Sequence, residues 1–236
     1  MIILAIESSA VTASVAILKD NQLVAEYTVN HKKTHSQTLL PMIDEIVSMA
    51  DMDALEIDVI AVSEGPGSFT GLRIGAATGK GIALALDKKM VSVPTLKAMA
   101  YNLYSDDRII VPIMDARRQH VYAGAYTFDE GRLLTMRESE LISIEDLISS
   151  YKLLSDKTGK KLVFIGDGVD VAGEKIKEAL GDICVLAAPQ NKTARAGSVA
   201  MLAMSMAKAG EFTDADELKP DYLRPSQAER EKMDNQ

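Results

Sequence analysis

One stretch decides the fold: VSEGPGSFTGLRIGAATGKGIALAL, residues 62–86. An apolar run enters a Gly-Pro-Gly loop, and Ser68 follows at the position of a helix N-cap. In the helix that this pattern predicts, Gly71, Gly75 and Gly79 recur at every fourth residue and share one face. Each interior glycine costs about 1 kcal/mol relative to alanine. The glycine stripe therefore indicates that another backbone approaches this face closely.

Composition and charge limit the class of protein. The 236 residues are 47% apolar and 25% charged, as in globular proteins with a sizeable core. A net charge of −8 disfavours a stand-alone nucleic-acid binder, because phosphate contacts supply most of that affinity. The single cysteine, Cys184, excludes an internal disulfide and lies in a predicted strand. With no signal peptide and no membrane-spanning run, the sequence predicts a cytoplasmic protein without membrane contact.

The order of elements repeats along the chain. Residues 2–29 predict three strands with an acidic break at Glu7, and helices and further strands follow. The same order restarts at residues 109–136, with its break at Asp115. We therefore predict an α/β fold of two similar lobes, each a mixed sheet that starts with a three-strand meander and is flanked by helices. The predicted units are a first lobe at 1–105, a second lobe at 106–225 and a mobile tail at 226–236.

This duplicated plan resembles the actin/Hsp70/sugar-kinase superfamily, whose lobes are ribonuclease H-like. Five stretches narrow the resemblance: Ile3–Ser9, His35–Pro41, Gly65–Gly75, Asp115–Arg117 and Asp221–Arg224. Together they closely resemble the TsaB (YeaZ) family of partner subunits in the synthesis of tRNA N6-threonylcarbamoyladenosine. The resemblance spans the whole chain, and its most specific part is the Gly65–Gly75 stretch.

The resemblance implies a non-catalytic subunit. Members of the family form a homodimer when alone and a heterodimer with a TsaD-type catalytic subunit, and a TsaE-type ATPase joins that complex. The catalytic subunit transfers the threonylcarbamoyl group to tRNA, so the resemblance implies that tRNA meets this chain only through the complex. First-lobe helices pair with the equivalent helices of the partner, and on this sequence those helices are residues 36–50 and 68–86.

The expected interface follows from those two helices. We expect at least part of the glycine stripe to face a partner, although the stripe has an intramolecular alternative, which is packing against the chain's own sheet. The neighbouring helix contributes apolar anchors at helical spacing. The predicted interface residues are His35, Leu39, Leu40, Ile43, Val47, Phe69, Gly71, Leu72, Gly75 and Gly79.

Two stretches of the sequence are candidates for a metal site. The catalytic relatives carry a His-x-x-x-His pair directly after the strand equivalent to residues 90–93. Here Pro94–Ala100 contains no histidine, carboxylate or cysteine, which predicts no metal and argues against transferase chemistry. His31 and His35 have helical spacing, but two lysines lie between them and repel a cation. We predict surface histidines, with His35 helping to start the first interface helix.

Nucleotide binding is the open question. Superfamily ATPases place an Asp-x-Gly hairpin at the first strand of each lobe, where glycine lets phosphates approach the backbone. The matching stretches here, Glu7-Ser8-Ser9 and Asp115-Ala116-Arg117, lack that glycine. Gly166-Asp167-Gly168 either touches a nucleotide or forms a tight strand-to-helix turn. We predict no cofactor and leave open weak ATP or ADP binding, through Glu7, Ser8, Ser9, Asp115, Gly166 and Gly168. The alternative function is a stand-alone ATP-dependent phosphotransferase or ATPase.

Overall fold

The first of two five-stranded mixed sheets is built from the first half of the chain. The computed structural model describes residues 1–31 and 34–223. Its strands are β1 (Ile2–Glu7), β2 (Ala13–Lys19), β3 (Gln22–Val29), β4 (Val59–Gly65) and β5 (Lys89–Pro94). The strand order is β3-β2-β1-β4-β5, with β1 antiparallel to β2 and parallel to β4.

The second sheet repeats this arrangement. Its strands are β6 (Ile109–Asp115), β7 (His120–Asp129), β8 (Arg132–Ser143), β9 (Leu162–Ile165) and β10 (Cys184–Leu186). Their order is β8-β7-β6-β9-β10, so the antiparallel strands β7 and β8 lie on one side of the central strand β6 and the parallel strands β9 and β10 lie on the other. The predicted two-lobe α/β fold is thereby confirmed.

Helices cover both faces of the sheets. They are α1 (His35–Met49), α2 (Phe69–Leu86), α3 (Thr95–Ala100), α4 (Ile144–Thr158), α5 (Gly168–Leu180), α6 (Pro189–Lys192) and α7 (Ala196–Lys208). Helices α1 and α2 follow the meander of the first sheet as α4 and α5 follow that of the second. Within the described ranges, no helix combines the length and the apolar character that a bilayer crossing requires.

The central strand β1 shows why the apolar runs are continuous rather than alternating. Leu4 and Ile6 pack in the cluster that contains the inner residues of α1 and α2. Ile3 and Ala5 point the other way and pack against α7. Because successive side chains of a strand point to opposite faces and both faces are covered, every position of β1 is buried.

Helices α3 and α7 cross between the two halves of the chain. Leu96 and Met99 of α3 pack in the core cluster of the second sheet. Val199 and Ala203 of α7 pack on the first sheet. The prediction that residues 106–225 form the second lobe is therefore wrong for α7, which packs on the first sheet. The predicted tail at 226–236 lies outside the described residues.

A partly buried carboxylate holds α7 to the first sheet. Glu26 of β3 accepts a hydrogen bond from the backbone N–H of Gly197, 2.8 Å away, in the first turn of α7. Its other oxygen pairs with the guanidinium of Arg195 at the helix N-cap. A negative group at a helix N-terminus satisfies free amides and interacts favourably with the helix dipole.

Candidate functional site

The β4–α2 junction forms as its sequence predicts. Ser68 is the N-cap of α2, and its hydroxyl accepts a hydrogen bond from the backbone N–H of Gly71 at 3.3 Å. The backbone N–H of Ser68 donates to the carbonyl of Ser9 at 2.6 Å. The start of α2 is thus tied directly to the loop that follows β1.

The glycine stripe of α2 faces the chain's own sheet, so its predicted contact with a partner is wrong. A Cβ at Gly71 would lie 2.1 Å from the carbonyl oxygen of Ser8, and one at Gly75 would lie 2.2 Å from the Ser8 hydroxyl. A Cβ at Gly79 would lie 2.4 Å from a methyl group of Val62. The Ser8 hydroxyl also donates to the Gly71 carbonyl at 2.9 Å. The intramolecular alternative therefore explains the spacing, because only hydrogen fits between α2 and the residues of β4 and of the loop after β1 that face it.

Several other predicted interface residues belong to the chain's own core. Leu39 and Ile43 of α1 and Leu72 of α2 are buried against the first sheet or its surroundings and cannot serve as outward anchors. Val47 and Phe69 are half-buried. Of the predicted anchors on α1, Leu40 is the one with a mostly exposed side chain, at 59%.

His35 has a structural role at the start of α1. Its Nε2 lies 2.8 Å from the carbonyl oxygen of Ala10, so that nitrogen carries the proton and donates. Its Nδ1 is buried without a hydrogen-bond partner among the described residues. His35 thus ties α1 to the β1–β2 loop, as predicted for its helix-starting role, while the exposed His31 lies apart from this contact.

The residues that α1 and α2 expose to solvent differ from most of the predicted interface residues. On α2, Arg73, Ala77, Gly81 and Leu84 lie opposite the glycine stripe and are exposed. A Cβ at Gly81 would meet no atom within 4 Å. We call these four residues, together with Leu40 of α1, the helix-pair surface. Sequence reasoning missed most of it, although the four α2 residues recur at helical spacing on the face opposite the glycine stripe.

The acidic break at the end of β1 is buried. Glu7 is 1% exposed, and its Oε1 accepts a hydrogen bond from the backbone N–H of Ser9 at 2.6 Å. Its Oε2 and the Ser9 hydroxyl are buried without partners among the described residues. Burial raises the pKa of the Glu7 carboxyl above its ordinary value, and the nearby Asp167 carboxylate raises it further.

The corresponding break in the second lobe is more open. Asp115 is half-buried, and its Oδ1 accepts a hydrogen bond from the backbone N–H of Arg117 at 2.8 Å. The backbone N–H of Asp115 donates to Asp167 Oδ1 at 3.2 Å. Burial is the largest cause that raises the pKa of Asp167. The structure therefore brings Glu7, Asp115 and Asp167 to the same region between the two sheets.

The two predicted nucleotide-binding glycines are explained by packing. Gly166 has a φ of +102°, and a Cβ there would lie 2.0 Å from the carbonyl oxygen of Ile113 on β6. A Cβ at Gly168 would lie 2.9 Å from the same carbonyl group. Both glycines let the β9–α5 turn pass close to β6, which is the tight-turn interpretation. Nucleotide contact by these residues stays a prediction.

A cleft of about 200 Å³ opens beside Asp167. One wall comes from the β1–β2 loop and the end of the meander, and the other comes from the second sheet and α6. Lys192 and Asp170 pair across its rim at 2.5 Å. The lining residues are Ala10, Val11, Thr12, Asn30, Met99, Met114, Asp167, Asp170, Lys192, Thr193 and Ala194. In the described part of the chain, no three His, Cys, Asp or Glu side chains are grouped so that they could hold a metal ion.

Known proteins resemble this chain over most or all of its length. Residues 22–232 match the family model described as "TsaD: tRNA N6-adenosine threonylcarbamoyltransferase". The "tRNA threonylcarbamoyladenosine biosynthesis protein TsaB" of Bacillus subtilis (strain 168) is 32% identical over 236 residues, with 100% of each chain covered.

Solved structures with a similar fold agree with that match. "YeaZ from Pseudomonas aeruginosa" superposes with a TM-score of 0.79 at 24% identity, covering 94% of this chain and 99% of that one. The (R)-2-hydroxyglutaryl-CoA dehydratase component A of Acidaminococcus fermentans has a TM-score of 0.51 at 14% identity, covering 88% and 99%. These two likenesses concern the fold alone, and they agree with the two-lobe fold expected from the repeated order of elements. The full-length relationship at 32% identity shows the family directly: the chain belongs to the TsaB (YeaZ) family.

Proposed function

We propose that this chain is a non-catalytic subunit in the synthesis of tRNA N6-threonylcarbamoyladenosine, and that it binds and activates a TsaD-type catalytic subunit. The helix-pair surface carries the proposal. Ala77, Gly81 and Leu84 give α2 an outer face of small and apolar side chains, and Leu40 is an exposed apolar side chain of α1, the helix that packs beside α2. Exposed apolar surface of this kind is typical of a protein-binding site, and small residues let a second helix approach closely.

The proposed assembly follows from the family. A homologous catalytic chain occupies the helix-pair surface, a TsaE-type ATPase joins the heterodimer, and a second copy occupies the surface when the chain is alone. The net charge of −8 supports contact with tRNA only through the complex, because this chain lacks an excess of basic residues for binding phosphates. The proposed location is the cytoplasm, where tRNA is modified.

The start of α3 supports a non-catalytic role. The catalytic relatives of the family have metal-binding histidines directly after the equivalent of β5. Here Leu96 and Met99 occupy this region and are buried in the core of the second sheet. Neither side chain supplies the imidazole nitrogen that such a histidine pair gives to a metal. The proposal therefore assigns the chemistry to the partner.

A charge placed on the helix-pair surface tests the proposal. Ala77→Arg should weaken binding to the catalytic subunit by roughly 100-fold, because a long cation replaces a methyl group at a close helix contact. Binding is measured by titration calorimetry, and tRNA modification by mass spectrometry of a reconstituted reaction. Ala179→Arg, at an exposed position of α5, is the matched control and should bind normally. Equal affinity of both variants and the natural chain would contradict the proposal.

A second candidate function rests on the cleft between the sheets. Asp167 lines a cavity of about 200 Å³, and the nearby Glu7 Oε2 is buried without a hydrogen-bond partner among the described residues. An ATP-dependent phosphotransferase would use such carboxylates to hold Mg²⁺ with the phosphates. Titration of the pure chain with ATP and Mg²⁺ separates the candidates. A micromolar dissociation constant that is lost in Asp167→Asn favours the enzyme, and no measurable heat favours the binding subunit.

A further inference from the structure

The chain continues after α7 as a segment that crosses back over the first lobe. We call residues 211–223 the strap. The backbone N–H of Thr213 donates to the carbonyl of Met90 at 2.9 Å, and Leu218 is buried in the core beneath α1 and α2. Further along, the backbone N–H of Asp221 donates to the carbonyl of Glu64 at 2.7 Å. These contacts fix the strap along its length and bring its end beside the start of α2.

The end of the strap completes a cluster of two rings and one cation. The rings of Phe69 and Tyr222 lie 4.6 Å apart between centroids. The guanidinium carbon of Arg73 lies 3.9 Å from the centroid of Phe69 and 5.9 Å from that of Tyr222. Arg73 Nε donates to the Tyr222 hydroxyl at 3.0 Å. Stacking and this hydrogen bond together hold the guanidinium plane in place, so little side-chain freedom remains to be lost on binding.

Among the residues that the structure describes, Arg73 has no acidic partner. Within residues 1–31 and 34–223, no carboxylate lies within 4.0 Å of its guanidinium nitrogens, whereas Arg108, Arg137 and Arg195 each pair with one. Nε is engaged by Tyr222, and the four Nη–H donors have no partner in that part of the chain. Such a planar fork matches the geometry of a carboxylate, which it binds through two parallel hydrogen bonds.

We infer that the strap positions Arg73 to bind a carboxylate of the catalytic subunit, with Tyr222 as the positioning residue. Arg73 lies at one end of the helix-pair surface, one helical turn before Ala77, and the inference rests on the proposed function of that surface. A single carboxylate needs only the free edge of one guanidinium. An RNA strand would bring a row of phosphates against a chain of net charge −8 whose Asp221 is exposed beside the cluster. The charge pattern therefore favours a protein carboxylate over RNA.

Four variants of the full chain, titrated with the catalytic subunit, test the inference. Arg73→Ala should raise the dissociation constant by roughly 30-fold, and Arg73→Lys by roughly 10-fold because a point charge replaces the fork. Tyr222→Phe, which keeps the ring and removes the acceptor, should raise it by roughly threefold. Arg132→Ala removes an exposed arginine of β8 as the matched control and should leave the affinity unchanged.

The dependence on salt separates a direct contact from a structural one. The difference in affinity between the natural chain and Arg73→Ala should shrink as ionic strength rises, because screening weakens the pair. A lower melting temperature with unchanged affinity in Arg73→Ala would overturn the inference, as would a loss confined to tRNA binding. Failure of the proposed function looks different, since the natural chain itself would then not bind the catalytic subunit.

Discussion

The two lobes have the same plan, but the outer face of α2 carries fewer charges than the outer faces of α4 and α5. In the second lobe, α4 and α5 cover their sheet with outer faces rich in both signs of charge, and Lys175 pairs with Glu145 across them at 3.2 Å. The exposed charges there include Glu145, Asp146, Lys152, Asp156, Lys157, Glu174, Lys175, Lys177 and Glu178. In the first lobe, the outer face of α2 is formed by Arg73, Ala77, Gly81 and Leu84.

This difference separates what the fold requires from what function adds. Both helix pairs bury an apolar face on a sheet of the same strand order, so the inner faces satisfy the same packing. The outer faces are free of that requirement. A charged outer face keeps the second lobe solvated, whereas the outer face of α2, with three small or apolar side chains and one arginine, is the face that the proposed function assigns to a partner.

We expect the largest change in stability from alanine substitutions that compare the buried and the exposed face of α2. Gly71→Ala should lower the free energy of unfolding by about 2–3 kcal/mol, because the added Cβ would lie 2.1 Å from the Ser8 carbonyl oxygen. Gly81→Ala should raise it by about 0.5–1 kcal/mol, because the new methyl group meets no atom within 4 Å and alanine favours the helix. Urea denaturation of both variants measures the difference. Equal effects at the two positions would contradict the assignment of the faces.

The glycine spacing shows how far sequence reasoning reaches. A four-residue repeat identifies one helix face and the need for close approach, and both inferences hold. It does not identify the neighbour, because the contacting Ser8 lies 63 residues from Gly71 along the chain. The family resemblance favoured a partner at that face. The structure places the partner-facing candidates on the opposite side of the same helix.

The sequence predicts which strands form each sheet, but it does not predict which sheet α3 and α7 pack on. Strand order follows from the repeated meander and from the rule that parallel strands join through helices. Helix α7 is apolar on most sides, which predicts burial without saying which sheet covers it. The contact that assigns it to the first sheet is Glu26 with Gly197, two residues that no local pattern connects.

Glu26→Gln gives the next largest effect and tests where α7 belongs. The amide keeps an acceptor for the Gly197 N–H but loses the charge that pairs with Arg195. Since the guanidinium is partly exposed and can be hydrated, we expect a loss of about 1–2 kcal/mol in unfolding free energy. Hydrogen exchange should show weaker protection in both α7 and the first sheet. Weaker protection confined to the second lobe would contradict the packing of α7 on the first.

Glu7, at the acidic break of the first lobe, is more buried than Asp115 at the break of the second. Because of this burial, we expect Glu7 to make the free energy of unfolding depend on pH. Burial raises the pKa of Glu7 in the folded chain, so the folded state keeps this proton to a higher pH than the unfolded state does. Its contribution to stability is therefore fully present below the unfolded pKa of about 4.3 and declines as pH rises through the folded pKa. Glu7→Gln removes this decline. Unfolding free energies measured from pH 4 to 8 should diverge in favour of the variant as pH rises, and parallel curves would contradict the prediction.

The smallest expected effect compares the glycines of the two lobes directly. Gly173 lies on the buried face of α5, the counterpart of α2, where an added Cβ would lie 3.1 Å from a methyl group of Val169 and 3.3 Å from one of Leu186. Both neighbours are side-chain ends that move by a few tenths of an ångström, unlike the Ser8 carbonyl beside Gly71. The helix propensity gained by alanine, about 1 kcal/mol, offsets much of that crowding, so Gly173→Ala should change stability by less than about 1 kcal/mol in urea denaturation. A loss as large as that of Gly71→Ala would mean that α5 approaches its sheet as closely as α2 does, and the close approach would then be a property of the duplicated fold rather than of the first lobe.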